Sequence, residues 1–241
     1  MNTQHVDILC ITAHPDDVEI SCGGTVLRHV DQGRSVGLVE LTAGELGTRG
    51  SSELRRREAE AARAVLGAAF RYDIGLPDGF FATEREDLLK VVQVLRRHRP
   101  KLVITNAIRD RHPDHGRGAE LVARACFLSG LRRVETHDGR EEQEPWRPTT
   151  VLHTVQDNWI DPDLVVDVTP FWERRAAALM CFRSQFYDPT STEPESPIAT
   201  SDFLPFLEGR MRAFGRIIHT TYGEGFTVAR APGVNDLLDL S

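Results

Sequence analysis

Val6-Asp7-Ile8-Leu9-Cys10-Ile11-Thr12 runs directly into Ala13-His14-Pro15-Asp16-Asp17-Val18-Glu19. The first half is short and rich in branched apolar residues, the composition of a buried strand. The second half sets one imidazole and two adjacent carboxylates where that strand ends. A second apolar run, Lys101 to Thr105, leads into Arg109-Asp110-Arg111-His112-Pro113-Asp114-His115. Two histidine–carboxylate clusters, each beyond an expected strand, predict one shared site.

Working outward, strands and helices alternate. Thr25 to Gln32 has Val26, Leu27 and Val30 on one helical face, with Gly33 as a stop. Ser35 to Leu41 reads as a strand, and the glycine-rich Thr42 to Gly50 as a loop. Ser51 or Ser52 caps a helix to about Leu66, and Glu53 suits its first turn. Phe70 to Ile74 is a third strand, followed by the turn Leu76-Pro77-Asp78-Gly79. Glu84 to His98 spaces Leu88, Val91, Val92 and Leu95 on one buried face, and Pro100 ends the helix. Lys101 to Thr105 is the fourth strand, and His115 to Leu128 the next helix. This alternation implies parallel strands with helical crossovers, an α/β Rossmann-like fold with a mostly parallel sheet flanked by helices. Ligands of such sheets bind beyond the carboxyl ends of the strands, where both clusters fall.

Further on, Thr136 to Pro148 is polar and reads as a surface loop. Val151 to Val155 and Leu164 to Val168 are two more strands, and Pro170 starts a helix to about Phe182. Ser184 to Ser201, rich in Pro, Ser and Thr, reads as an ordered pocket wall, because a helical pattern resumes from Phe203 to His219. No repeat or linker divides residues 1–241, which are read as a single domain.

Composition narrows the function. The chain has 241 residues, 40% hydrophobic and 27% charged, as in soluble globular enzymes. A formal charge of −7 argues against a nucleic-acid or membrane-surface binder. No apolar stretch approaches the ~20 residues of a membrane span. Met1 to Asp7 lacks the basic and apolar regions of a signal peptide. Cys10, Cys22, Cys126 and Cys181 form no C-x-x-C pair and read as reduced core residues. A cytoplasmic protein is expected.

The clusters carry the chemistry. His14 and Asp17, three apart, with His115 as third ligand, suit Zn(II) and leave coordination positions open, as a catalytic metal requires. The same set suits non-haem Fe(II). Asp16, beside a ligand but pointing differently, is the expected general base. His112 could set a cationic imidazole against a developing oxyanion and later protonate a leaving amine. Asp114 could hydrogen-bond that imidazole and keep it charged. Arg49, Arg55, Arg109 and Arg111 sit on the neighbouring loops of an otherwise acidic chain. Arg55 and Arg111 are expected to grip a carboxylate or phosphate, which implies a small anionic substrate. Arg56 and Arg57 read as solvated, and the remaining histidines as surface or core residues.

Together, Ala13-His14-Pro15-Asp16-Asp17-Val18-Glu19 and Arg111-His112-Pro113-Asp114-His115 resemble the PIG-L/LmbE-like zinc de-N-acetylases. That resemblance extends along nearly the whole chain. Leu41 to Leu46, Glu53-Leu54-Arg55, Ser184-Gln185-Phe186 and Tyr222 to Phe226 look most similar to the branch that deacetylates N-acetylglucosaminyl-L-malate in bacillithiol biosynthesis. It implies zinc on His14, Asp17 and His115, Asp16 as base, and His112 as acid or electrostatic stabiliser. It also implies substrate contacts from Arg55 and Arg111, with Arg111 for the malate carboxylate, and a homo-oligomer. Some relatives place a carbonyl-polarising tyrosine near the start of the late helix. Phe203 stands there, with Tyr187 and Tyr222 as substitutes. Thr136 to Pro148 and Ser184 to Ser201 are the loops expected to cover the pocket. Three other readings are the same chemistry on another N-acetylglucosamine conjugate or amide cleavage of a thiol conjugate, a metal-dependent phosphoesterase, which lacks a second carboxylate set here, and a nucleotide-binding module, which lacks G-x-G-x-x-G after the first strand.

Overall fold

A computed structural model describes residues 4–236 and 238. In chain order the elements are β1 (Ile8–Thr12), α1 (Asp17–Ser21), α2 (Gly23–Asp31), β2 (Val36–Glu40), α3 (Ser52–Leu66), β3 (Phe70–Asp73), α4 (Arg85–His98), β4 (Leu102–Thr105) and α5 (Pro113–Leu128). There follow β5 (His137–Asp138), β6 (Glu141–Glu142), β7 (Thr150–Thr154), β8 (Leu164–Asp167), α6 (Trp172–Leu179), α7 (Phe203–Ile217) and β9 (Gly223–Val228).

Seven strands form one sheet in the order β3-β2-β1-β4-β7-β9-β8. β3, β2, β1, β4 and β7 are mutually parallel, while β9 runs antiparallel between β7 and β8. β1 is an inner strand between β2 and β4 and is wholly buried. Its alternate residues feed two cores. Leu9 and Ile11 meet Leu88, Val91, Val92 and Leu95 of α4 and Leu121, Val122 and Ala125 of α5. Ile8 and Cys10 face the other layer, with Val26 and Leu27 of α2, Leu66 of α3 and Ala178 of α6. Burying one such side chain stabilises the fold by roughly 1.5–3 kcal/mol.

The chain steps from β1 outward to β2 and β3, then returns to lay β4 on the other flank of β1. The loops after β1 and β4 therefore leave the sheet in opposite directions and open a crevice between them. Both histidine–carboxylate clusters lie there, which is the arrangement expected from the sequence.

Several boundaries differ from expectation. The acidic stretch is not all loop, since Asp17 to Ser21 turns into α1 and α2 starts at Gly23. α5 starts at Pro113, because proline suits the first helical turn. Pro170 falls in a 3-10 turn, Thr169–Phe171, and α6 ends at Leu179. The strand β9 was not expected, because Gly223 and Gly225 mask its alternation. Ser51 caps α3 as expected, its Oγ accepting from Leu54 N at 3.2 Å. All four cysteines are free thiols. Among the described residues no helix is long and apolar enough to cross a membrane.

Candidate metal centre and active site

Asp17 is the hub. Its Oδ2 accepts from the backbone N of His14 and from Asn106 Nδ2, both at 3.0 Å, and its Oδ1 accepts from Gln156 Nε2 at 2.9 Å. His115 Nε2 lies 3.1 Å from Oδ1, and His14 Nδ1 lies 3.6 Å from Oδ2. The far nitrogen of each ring rests on a carboxylate. His115 Nδ1 is 2.5 Å from Asp110 Oδ2. His14 Nε2 is 3.0 Å from Asp78 Oδ1 and 3.4 Å from Asp114 Oδ2.

These residues fit a metal. Metal-binding histidines donate their other ring N–H to a carboxylate, which fixes tautomer and orientation. Here that outer carboxylate is supplied twice, leaving one nitrogen from each ring turned toward Asp17. Two nitrogens and one carboxylate suit zinc with open positions. His112 adds a third imidazole, with ligand atoms of His14, His112 and His115 within 4.8 Å of one another. His14, Asp78 and Asp114 also cluster. There, however, Asp78 Oδ2 accepts from Leu46 N at 2.9 Å, and Arg117 Nη1 already donates to Asp114 Oδ1 at 2.9 Å. That group is better suited to orienting His14.

The charges agree with this layout. Burial disfavours a cationic His14, yet the carboxylates of Asp114, Asp17 and Asp78 outweigh it and hold the ring's pKa well above the usual value. Burial is likewise outweighed at His115 by Asp17 and Asp110, and its pKa rises to about 9. Burial would raise Asp17, but His115 and His14 hold it well below the usual range. The carboxylates that favour protons on these two rings would equally favour a metal cation in their place.

Asp16 behaves differently. It has φ 100° and ψ −23°, a left-handed conformation that costs a non-glycine residue on the order of 1–3 kcal/mol. Its carbonyl accepts from Ile20 N at 2.9 Å. Arg55 Nη2 donates to the Pro15 carbonyl at 2.9 Å and to Asp16 Oδ2 at 3.3 Å. The strained turn aims Asp16 into the cavity while Asp17 points at the imidazoles. Burial lifts the Asp16 carboxyl to about 6; Arg55 opposes the rise and Asp17 adds to it.

A cavity of about 330 Å³ opens above this group. It is lined by His14, Asp16, Asp17, His112 and His115, with Arg111, Leu46 and Gln156 around them. Gln185 and Ser196 to Ile198 form one wall, so Ser184 to Ser201 contributes as expected. Thr136 to Pro148 contributes no residue to the cavity and carries the β5–β6 hairpin instead.

Three expected roles change. Asp114 does not hydrogen-bond the His112 ring through its carboxylate. With α5 starting at Pro113, Asp114 lies in the first turn, fully buried, and its carboxylate accepts from Gly79 N at 2.9 Å. Instead, the backbone N of Asp114 donates to His112 Nδ1 at 3.3 Å. Burial, together with His14 and His115, lowers the His112 pKa rather than raising it. A neutral ring with Nδ1 accepting carries its proton on Nε2. Arg55 is not a free anion hook, since it also donates to Gly44 O at 3.1 Å and is only 5% exposed. Gly44, at φ +66°, leaves the room, because a Cβ there would stand 2.1 Å from Arg55 Nη1. Arg49 binds the Ser184 carbonyl at 2.9 Å and Ser191 Oγ at 2.9 Å, which ties the wall down.

Arg111 does reach the cavity, at its rim, paired with Asp157. Arg109 is exposed and does not line it. No tyrosine lines the cavity among the described residues. Phe203 stacks on Phe186 at 5.8 Å in the core, Tyr222 Oη bonds Glu208 and Arg212, and Tyr187 is exposed. Asp78, Asn106, Asp110 and Gln156 were not assigned from sequence. Each lies shortly beyond the carboxyl end of β3, β4 or β7, and that position was the available signal.

Comparison with known proteins agrees with this geometry. The PIG-L family, described as GlcNAc-PI de-N-acetylase, matches residues 9–126, which contain both clusters. The conserved protein TT1542 from Thermus thermophilus is 32% identical, with a TM-score of 0.84 over 95% of this chain and 98% of that one. Diacetylchitobiose deacetylase of Thermococcus kodakarensis is 27% identical across 94% of this chain and 84% of its own. A 4-oxalmesaconate hydratase of Pseudomonas putida is also 27% identical, across 77% of this chain and 76% of its own.

Proposed function

The chain belongs to the PIG-L family of de-N-acetylases, and from that premise we propose that it is a zinc-dependent hydrolase removing the N-acetyl group of an N-acetylglucosamine conjugate. The preferred substrate in this reading is N-acetylglucosaminyl-L-malate. One observation carries the proposal: two carboxylate-backed imidazoles converge on Asp17 while the adjacent Asp16 is turned into the cavity.

In this reading His14, Asp17 and His115 hold the metal, which when bound supplies Lewis acidity toward an acyl oxygen and acidifies water. Fe(II) suits the same donors. Asp16 takes a proton from the attacking water; a carboxyl near pKa 6 accepts one readily at neutral pH. Arg55 keeps that carboxylate aimed. His112, neutral and with its proton on Nε2, donates a hydrogen bond to the developing oxyanion, and the protonated Asp16 carboxyl passes the proton it took from water to the departing amine. Arg111 can exchange Asp157 for a carboxylate on the aglycone, which supports a malate-type conjugate.

Acetate release from N-acetylglucosamine and from its malate, inositol and chitobiose conjugates tests the reading. Zinc-dependent release fastest from the malate conjugate is expected. The similarity to the hydratase gives a second reading. Hydration of an unsaturated tricarboxylate with no acetate released from any conjugate would establish it and end the first. We further propose a cytoplasmic homo-oligomer acting on a small soluble glycoside. Phe80, 77% exposed beside cavity-lining Gly79, supports a covered surface near the site, which light scattering tests.

A further inference from the structure

α1 and α2 are two helices, not one. Cys22, at φ −147° and ψ 18°, separates them. Asp17 begins α1 and Asp16 is its N-cap, so the placement of this break fixes where both carboxylates sit.

Three buried charged side chains from the last part of the chain close on the break. Arg175 of α6 and Arg210 of α7 both donate through Nη2 to the Ile20 carbonyl, at 2.7 and 2.8 Å. Glu224 of β9 accepts from the first amides of α2, Gly24 N at 2.9 Å and Thr25 N at 2.6 Å, and its Oε1 lies 3.9 Å from Arg175 Nε. The polarity is that of helix ends, with cations on the terminal carbonyl of one helix and an anion on the opening amides of the next. Gly23 and Gly24 make the room. A Cβ on Gly23 would stand 3.3 Å from Arg175 Cγ, and one on Gly24 would stand 3.0 Å from Glu224 Oε1.

Two guanidiniums beside one carboxylate are poor core filling, because buried charge disfavours folding unless fully paired. Arg175 Nε and Arg210 Nη1 have no hydrogen-bond partner among the described residues. What the group does achieve is to fix one carbonyl from two sides, and that same residue, Ile20, lines the cavity. All three charged residues lie outside residues 9–126, which hold the chemistry.

We propose that Arg175, Arg210 and Glu224 are positioning residues for Asp16 and Asp17, splinting the α1–α2 break from behind so that metal affinity and base geometry depend on the C-terminal elements. The proposal rests on the reading of Asp17 as a metal ligand and Asp16 as the base.

The test uses full-length Arg210→Met, Arg210→Lys, Glu224→Gln and Asp17→Ala. Zinc Kd is measured by competition with a chromophoric chelator, with kcat and KM on an N-acetylglucosamine glycoside and circular dichroism for the fold. Losing an outer partner of a metal ligand weakens metal binding or activity by about 10–100-fold. Arg210→Met and Glu224→Gln, which reach Asp17 through the helix backbone, are expected to raise zinc Kd toward the lower end of that range and to lower kcat with little change in KM. Arg210→Lys recovers part of both. Folded Arg210→Met or Glu224→Gln with wild-type Kd and kcat would overturn the proposal. Glu224→Gln keeps the side chain's shape, so it decides the matter if Arg210→Met fails to fold. Wild-type zinc Kd in Asp17→Ala would instead refute the ligand assignment, a different failure.

Discussion

Glu40→Gln probes the charge beneath the site. Arg71 on β3 donates through Nη1 to Glu19 Oε1 at 2.6 Å and through Nε to Glu40 Oε1 at 2.7 Å, and all three side chains are at most 3% exposed. One buried guanidinium serves two carboxylates, so the group is left with net negative charge when both ionise. Burial raises the Glu40 carboxyl to about 7; Arg71 opposes this and Glu19 adds to it. The unfolded chain releases that proton near 4.5. Between these values the folded state binds a proton that the unfolded state does not. Stability from this group is therefore present in full below pH 4.5 and declines as pH rises through 7. The span corresponds to about 3 kcal/mol. Glutamine keeps an acceptor for Arg71 Nε and has no charge to lose. The assay is urea unfolding of both proteins at fixed ionic strength, across the window and on either side of it. Metal linkage is common to both and cancels in their difference. Glu40→Gln is expected to gain on the wild type by about that amount as pH rises, most steeply between the two pKa values. A pH-independent difference would refute the reasoning.

Other changes separate the roles at the site. Asp16→Asn should lower kcat by about 10²–10⁴-fold while zinc content stays stoichiometric, and retention of the full rate would remove Asp16 as base. Asp110→Asn, losing the carboxylate behind His115, should raise zinc Kd by about 10–100-fold, read by chelator competition. Arg55→Met should lower kcat with KM nearly constant, because Arg55 holds Asp16; a KM rise at constant kcat would instead make it a substrate contact. Arg111→Ala should raise KM about tenfold for a malate conjugate and leave N-acetylglucosamine itself unaffected, the loss expected for one charged hydrogen bond. Equal effects on both substrates would sink the malate assignment.

The parallel sheet was legible because β1, β2 and β4 are short apolar runs separated by helices of clear period. β9 was not, since its Gly223 and Gly225 approach Phe214 and Val165, and tertiary contact rather than local pattern makes it a strand. In the site, the stretch from His14 to Asp17 and the cluster from Asp110 to His115 could be paired because both follow strands at the point where the strand order reverses. Spacing could not say which way a side chain turns. Asp114 is two residues from His112 in sequence, yet helix geometry delivers its carboxylate to His14. Arg55 has the look of an anion hook, but both of its terminal nitrogens are already bonded, to two carbonyls and Asp16. Residue type located the site, whereas the hydrogen-bond partner decided each role.

The chain is similar both to a diacetylchitobiose deacetylase and to a hydratase. The carboxylates and imidazoles come from the loops and first helical turns after β1, β3 and β4, and these are rigidly cross-linked: Asn106 Oδ1 accepts from Ala13 N at 2.7 Å while its Nδ2 holds Asp17. A metal held by such a core would acidify water for attack on more than one kind of electrophile. The opposing wall is built differently. Gln185 and Ser196 to Ile198 belong to a long segment between α6 and α7, tied to the core through Arg49 and through Glu58, which accepts from Ser184 N and Oγ at 2.8 and 2.6 Å. Changes within Ser196 to Ile198 alter cavity shape without touching Asp17 or its partners. Substitutions there should therefore redistribute kcat/KM among conjugates while zinc Kd stays at the wild-type value. A parallel loss of zinc affinity would mean that wall and metal centre are one mechanical unit.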